Sequence, residues 1–124
     1  ELGQLAEDVR LKGQSHVSSQ VLTPDTLQQE MEMADIRLHC SPIGMHPHEG
    51  VSLVPPEQLG EGLAVFDAVY NPRLTKLIVD AENAGCKTIL GLELFLGLAY
   101  VQFDLWTGQK APRDVMRRIV EEKL

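Results

Sequence analysis

The sequence predicts an α/β domain built on a parallel sheet, and three observations carry that reading. Short β-prone runs alternate with segments of helical periodicity between residues 35 and 124. One run follows the next at about 25 residues, the length of a crossover that brings the chain back to lay down a parallel strand. The run Leu63-Ala64-Val65-Phe66-Asp67 is nearly continuous in apolar residues, as expected of a strand covered on both faces.

Leu2, Leu5, Val9 and Leu11 fall near one face of a helix that stops at Gly13, a common C-terminal signal. A short β-prone run follows, His16-Val17-Ser18-Ser19-Gln20-Val21. Thr23-Pro24-Asp25 then marks a helix start: a hydroxyl for the N-cap, a proline in the first turn and an acid to meet the helix dipole. That short helix carries Leu27, Met31 and Met33. Asp35 to Cys40 reads as a strand, and Ser41 to Pro56 as a loop too rich in proline and glycine for regular structure. After the strand at Leu63, the residues Leu74, Leu77, Ile78 and Ala81 recur at helical spacing from Arg73 to Ala84, and Gly85 ends the helix. Lys87-Thr88-Ile89-Leu90 is a third strand. Leu92, Phe95, Leu96, Ala99, Phe103 and Trp106 mark one face of a long helix ending at Gly108. Pro112 opens a last helix whose stripe is Val115, Met116, Ile119 and Val120.

Composition narrows the function classes. A chain of 124 residues, 44% hydrophobic and 23% charged, is one domain at most and can bury a core. Its net charge of −7 argues against a nucleic-acid surface. The basic cluster Arg113, Arg117, Arg118 and Lys123 is interleaved with Asp114, Glu121 and Glu122, and reads as a solvated helix face. No apolar run approaches the ~20 residues of a transmembrane helix, so no membrane contact is expected. Cys40 and Cys86 are expected to be reduced and buried, in a cytoplasmic or plastid-stroma compartment. The chain opens in mid-pattern without an initiator methionine, which suggests a fragment.

Candidate chemistry is sparse on pattern alone. Cys40, His46, His48 and Glu49 carry ligand-type side chains, but no second cluster completes a site, and no metal is expected. Met31, Met33 and Met45 read as core filling. A dinucleotide fold holds pyrophosphate on a glycine-rich turn between its first strand and first helix. Gly60-Glu61-Gly62 has that spacing but precedes a strand, and reads as a plain turn.

Five segments point further. They are His39-Cys40-Ser41-Pro42-Ile43-Gly44-Met45; Asp67-Ala68-Val69-Tyr70-Asn71-Pro72 with Thr75 and Leu77; Ala84-Gly85-Cys86; Gly91-Leu92-Glu93-Leu94-Phe95; and Phe103-Asp104-Leu105-Trp106-Thr107-Gly108. In content, order and separation they resemble the shikimate dehydrogenase family. Gly91 to Tyr100 is most similar to dehydrogenases fused behind a dehydroquinate dehydratase. The resemblance implies the C-terminal part of a Rossmann-like parallel sheet, truncated, lacking the first two strands and the glycine-rich loop. The strands present would be the third to sixth of an order 3-2-1-4-5-6. Residues 1–34 would be a loosely matched remnant after the second strand, and residues 35–124 the C-terminal half of the nicotinamide-binding domain with the terminal helices.

The resemblance also implies a task. The parent protein would interconvert 3-dehydroshikimate and shikimate with NADP, in aromatic amino-acid biosynthesis; shikimate against quinate, and NADP against NAD, stay open. Ser41 and Gly44 would lie along the cofactor, Ala68 and Gly91 would approach its nicotinamide, Leu94 would be a further cofactor-binding residue, and Tyr70 would face the substrate. Ligands of open α/β sheets do sit at the carboxyl ends of strands, where these residues fall. The family's catalytic Lys and Asp belong to an N-terminal domain outside these residues, so this chain alone is expected to be inactive. There are departures: Leu98 stands where the family has a substrate-binding glutamine, His39 where its loop has asparagine, and Leu90 where many members have aspartate. The alternative is a non-catalytic dehydrogenase-like structural or regulatory module docked in a larger assembly. Without the central strands, the strand at Ile36 would be a bare apolar edge. Residues 35–124 are therefore expected to need the rest of the parent polypeptide or a partner subunit over it.

Overall fold

In the computed structural model, which describes residues 2–13 and 15–124, the chain divides into two units, Glu1–Met33 and Ala34–Leu124. The first holds two helices, α1 (Leu2–Lys12) and α2 (Pro24–Glu32). Thr23 caps α2 reciprocally: its hydroxyl accepts from the Thr26 amide at 3.1 Å, and the Thr26 hydroxyl accepts from the Thr23 amide at 2.8 Å. Leu27 and Met31 are buried, whereas Met33, at the C-cap, is exposed and fills no core. In α1 the expected stripe is not the buried one, since Leu5, Val9 and Leu11 are exposed and Ala6 is covered. Nor does the run His16 to Val21 form a strand, so no third Rossmann strand is present there. Side chains satisfy its backbone instead: Arg10 Nε donates to the Val17 carbonyl, and the Thr26 hydroxyl donates to that of Val21 at 2.8 Å.

The second unit carries the sheet. Strands β1 (Ile36–His39), β2 (Ala64–Asp67) and β3 (Lys87–Ile89) run parallel in the order β1-β2-β3, with Ile36 opposite Ala64 and Ala64 opposite Lys87. A single 3₁₀ turn, Pro56–Gln58, interrupts the long connection from β1 to β2. Helices α3 (Lys76–Asn83), α4 (Gly91–Thr107) and α5 (Arg113–Glu121) complete it. This is a Rossmann-like α/β unit in truncated form. Helix α3 begins later than the apolar spacing from Arg73 implies. Thr75 is its N-cap, and the Thr75 hydroxyl accepts from the Ile78 amide at 3.3 Å. The Gly60–Gly62 segment is a turn ahead of β2, closed by the Leu63 amide donating to the Gly60 carbonyl.

Alternation along parallel strands gives the sheet two different faces. Val65 and Asp67 are fully buried on one, beneath α3, whose Leu77, Ile78 and Ala81 are buried with them. On the other, Ile36 and Leu38 are 64% and 65% exposed, Ile89 is exposed, and Phe66 is half-buried. On the Ala64–Phe66 side β2 is therefore only partly covered, and its neighbours β1 and β3 are open. Among the described residues no strand pairs with the free edge of β1. The long helix shows the same imbalance. Gly91, Leu92 and Leu96 are buried, but Trp106 is 77% exposed and the stripe of α5 is only partly covered. No helix among the described residues is long and apolar enough to cross a membrane.

Burial therefore separates residues that the apolar pattern treats alike. Ile78→Ala is expected to lower the unfolding free energy of the chain by about 3 kcal/mol, and Leu38→Ala by under about 0.5 kcal/mol. Urea midpoints of the two variants check this; equal losses would mean that the Leu38 face is covered.

Candidate functional site

The carboxyl ends of β1 and β2 bring two buried polar residues side by side, His39 and Asp67, which are register partners. Each ties down the loop that follows its strand. Asp67 accepts from the Val69 amide at 2.9 Å and from the Thr75 hydroxyl at 2.6 Å, joining the loop after β2 to the cap of α3. His39 Nε2 lies 3.0 Å from the Ile43 carbonyl and 3.1 Å from the Ser41 hydroxyl, under the loop after β1. Between the two loops opens a cavity of about 480 Å³, lined by residues that include Cys40, Ser41, Met45, His46, Ala68 and Tyr70.

Helix α4 backs the loop after β2. Its first residue, Gly91, is set hard against the loop after β2: a Cβ there would lie 2.4 Å from the Val69 carbonyl oxygen and 2.7 Å from that of Ala68. No side chain fits, so glycine here serves a backbone-to-backbone contact. One turn on, Phe95 stacks on the Tyr70 ring, centroids 4.6 Å apart and planes 21° apart. Helix α5 is fastened to α4 by Arg117, whose guanidinium donates to both Glu93 oxygens at 2.6 and 2.8 Å. The Arg117 hydrogen bonds, with its charge and that of Arg73, hold the Glu93 carboxyl below its ordinary pKa despite a smaller opposing effect of burial. On β1, burial lowers the pKa of the Arg37 guanidinium. His46 Nδ1 lies 3.6 Å from Glu49 on an exposed loop. No three His, Cys, Asp or Glu side chains among the described residues gather as metal ligands.

Residues 91–121 match the Shikimate 5'-dehydrogenase C-terminal domain. The shikimate dehydrogenase (NADP(+)) of Dehalococcoides mccartyi is 39% identical over 120 residues, 97% of this chain and 42% of that protein. A shikimate dehydrogenase solved in complex with NADP+ is 35% identical with a TM-score of 0.71, over 76% of this chain and 33% of that one. The chain belongs to the shikimate dehydrogenase family, matching its C-terminal part. A quinate dehydrogenase from Corynebacterium glutamicum, solved with NAD, is 25% identical with a TM-score of 0.83 over 98% of this chain and 42% of its own. The chain thus spans about two fifths of the length of several curated shikimate dehydrogenases that it matches.

Of the residues that the shikimate dehydrogenase resemblance singles out, Ser41, Ala68 and Tyr70 meet in the cavity. Gly44 does not line it; at φ 100° it turns the chain beneath, against the Thr75 side chain. Gly91 abuts the wall through Ala68 and Val69, while Leu94 and Leu98 stand exposed along α4. Cys40, expected to be buried, is exposed at the rim, because it alternates with His39, which takes the inward position. Both cysteines are free thiols. Sequence reasoning missed Phe95 as a partner of Tyr70 and Thr75 as a partner of Asp67. The Asp-to-Thr pair is eight residues apart and could have been sought as a strand-end acid facing a helix N-cap.

Gly91→Ala should shift α4 away from the Ala68–Val69 backbone and cost about 2–3 kcal/mol of stability. Thermal melts read the loss, and the ring-current shifts of Tyr70 should shrink with it. An unchanged melting temperature would mean that the approach is looser than 2.4 Å.

Proposed function

We propose that this chain supplies the nicotinamide-side part of the cofactor domain of an NADP-dependent shikimate dehydrogenase, which interconverts 3-dehydroshikimate and shikimate. One observation carries the reading: Ser41, Ala68 and Tyr70, picked out by family motifs, line a single cavity at the carboxyl ends of two parallel strands. That is where open α/β sheets hold their ligands. The name of the Dehalococcoides mccartyi relative supplies NADP as the cofactor.

The donor set fits the nicotinamide half of such a cofactor. The hydroxyl of Ser41 suits sugar or phosphate oxygens, and Pro42, Met45, Ala68 and Val69 offer apolar walls to a flat ring. Gly44 supports the Ser41 loop, Gly91 fixes the Ala68 wall, and Leu94 lies on the same helix a turn beyond. When bound, NADP exchanges a hydride with the substrate carbon. Tyr70, held by Phe95, faces the substrate. The pyrophosphate loop and the catalytic Lys and Asp come from other parts of the complete protein. In this reading residues 1–34 are a separate remnant of the cofactor domain. The unpaired edge of β1 and the open Ile36–Leu38 face take their cover from the remaining polypeptide or a partner subunit, in a cytoplasmic or stromal setting.

A second reading has one observation in its favour. Leu98 is 54% exposed where the family carries glutamine, and a site built for a hydroxyl loses heavily without its partner. A non-catalytic, dehydrogenase-like module docked in an assembly would tolerate that change.

The purified 124-residue chain is expected to produce no NADPH from NADP+ and shikimate; protein-dependent NADPH formation would overturn the division of labour above. In the complete polypeptide, Leu98→Gln is expected to lower the KM for shikimate about tenfold, the worth of one regained hydrogen bond. An unchanged KM would remove Leu98 from the substrate side, and a polypeptide inert with either residue would favour the docked module.

A further inference from the structure

The loop after β1 is held by a histidine whose tautomer the geometry dictates. His39 is 4% exposed, and its Nε2 lies 3.0 Å from the Ile43 carbonyl oxygen. A carbonyl oxygen only accepts, so Nε2 must carry the hydrogen. That N–H is shared with the Ser41 hydroxyl oxygen at 3.1 Å, which therefore accepts as well. The Ile43 amide donates to the same oxygen at 3.3 Å. A serine hydroxyl has two acceptor lone pairs and one proton. Both lone pairs are now engaged from within the loop, and the proton alone is left for the cavity that Ser41 lines.

We propose that His39 is a positioning residue that commits the Ser41 hydroxyl to donate to an acceptor oxygen of a nicotinamide nucleotide. The inference rests on the function proposed above and deepens it, since it names the polarity of one contact and the residue that sets it. Were Nε2 unprotonated, Ser41 could turn its proton inward and present a lone pair to the cavity. The Nε2–H tautomer closes that option. Acceptor oxygens occur on both the phosphate and the ribose of the mononucleotide, and the experiment separates them.

In the ¹⁵N-labelled chain, long-range proton–nitrogen correlation of the His39 ring at neutral pH should show the hydrogen on Nε2. Nicotinamide mononucleotide, nicotinamide riboside and inorganic phosphate are then titrated, following the Ser41 and Gly44 amides. The mononucleotide should bind, with Ser41→Ala and His39→Leu each weakening it about tenfold. His39→Gln, whose amide can donate from a similar place, should restore most of the loss. If Ser41→Ala weakens mononucleotide and riboside equally, the acceptor is on the sugar; if it weakens only the mononucleotide, it is the phosphate. A hydrogen on Nδ1, undiminished binding by Ser41→Ala, phosphate alone binding as tightly as the mononucleotide, or no mononucleotide binding would each overturn the proposal. Should His39→Leu fail to fold, the wild-type tautomer and Ser41→Ala still decide. The dehydrogenase reading fails separately, in a complete polypeptide that binds the mononucleotide through Ser41 yet transfers no hydride.

Discussion

The carboxylate of Asp67 is the point on which the second unit turns. It is fully buried at the end of the central strand, with one oxygen on the Val69 amide and the other on the Thr75 hydroxyl. Thr75 in turn accepts from the Ile78 amide at the first turn of α3. A strand end, a cavity loop and a helix cap are thereby joined through one side chain. A buried acid with a lost partner is costly, so the arrangement specifies its loop closely as well as stabilising it. The Ala68–Val69 backbone that it holds is the surface against which Gly91 sets α4. The position of the long helix thus follows from that of the loop.

The two loops of the cavity are held from below by different chemistry. A carboxylate, which only accepts, gathers an amide and a hydroxyl after β2. An imidazole, which donates from Nε2, gathers a carbonyl and a hydroxyl after β1. Both anchors are buried and lie opposite each other in the parallel register. Groups fixed in this way need little reordering when a ligand arrives, the general benefit of a site carried by rigid elements. Helix α4, behind the loop after β2, is held by rings and charges: Tyr70 on Phe95, and Glu93 on Arg117.

Away from the cavity the unit exposes more apolar surface than its neighbours cover. Ile36 and Leu38 on the sheet, and Leu98, Val101, Leu105 and Trp106 along α4, are all exposed. Apolar exposure on this scale is a common feature of surfaces that other protein covers. It accords with a chain spanning about two fifths of the length of its curated relatives.

Element type and order were legible in the sequence, because period and punctuation are local properties. Helices α2 to α5 and strands β1 to β3 lie where apolar spacing, Thr23, Pro24, Gly85 and Gly108 place them, give or take a few residues. The family motifs also contain Ser41, Ala68 and Tyr70, which share one cavity in the structure. What sequence alone did not decide was which apolar residues are covered. Leu5, Val9 and Leu11 of α1, Met33, Leu38 and Trp106 follow the same patterns as buried residues yet stand exposed, since burial depends on what lies across from a side chain. Nor could it decide the run at Val17, where a strand needs a neighbour and only side chains answered. The pairings that hold α4 in place, Glu93 with Arg117 and Tyr70 with Phe95, join residues 24 or more apart in the chain. Only the tertiary structure decided them, because contact at that separation is set by how the sheet and helices close on one another.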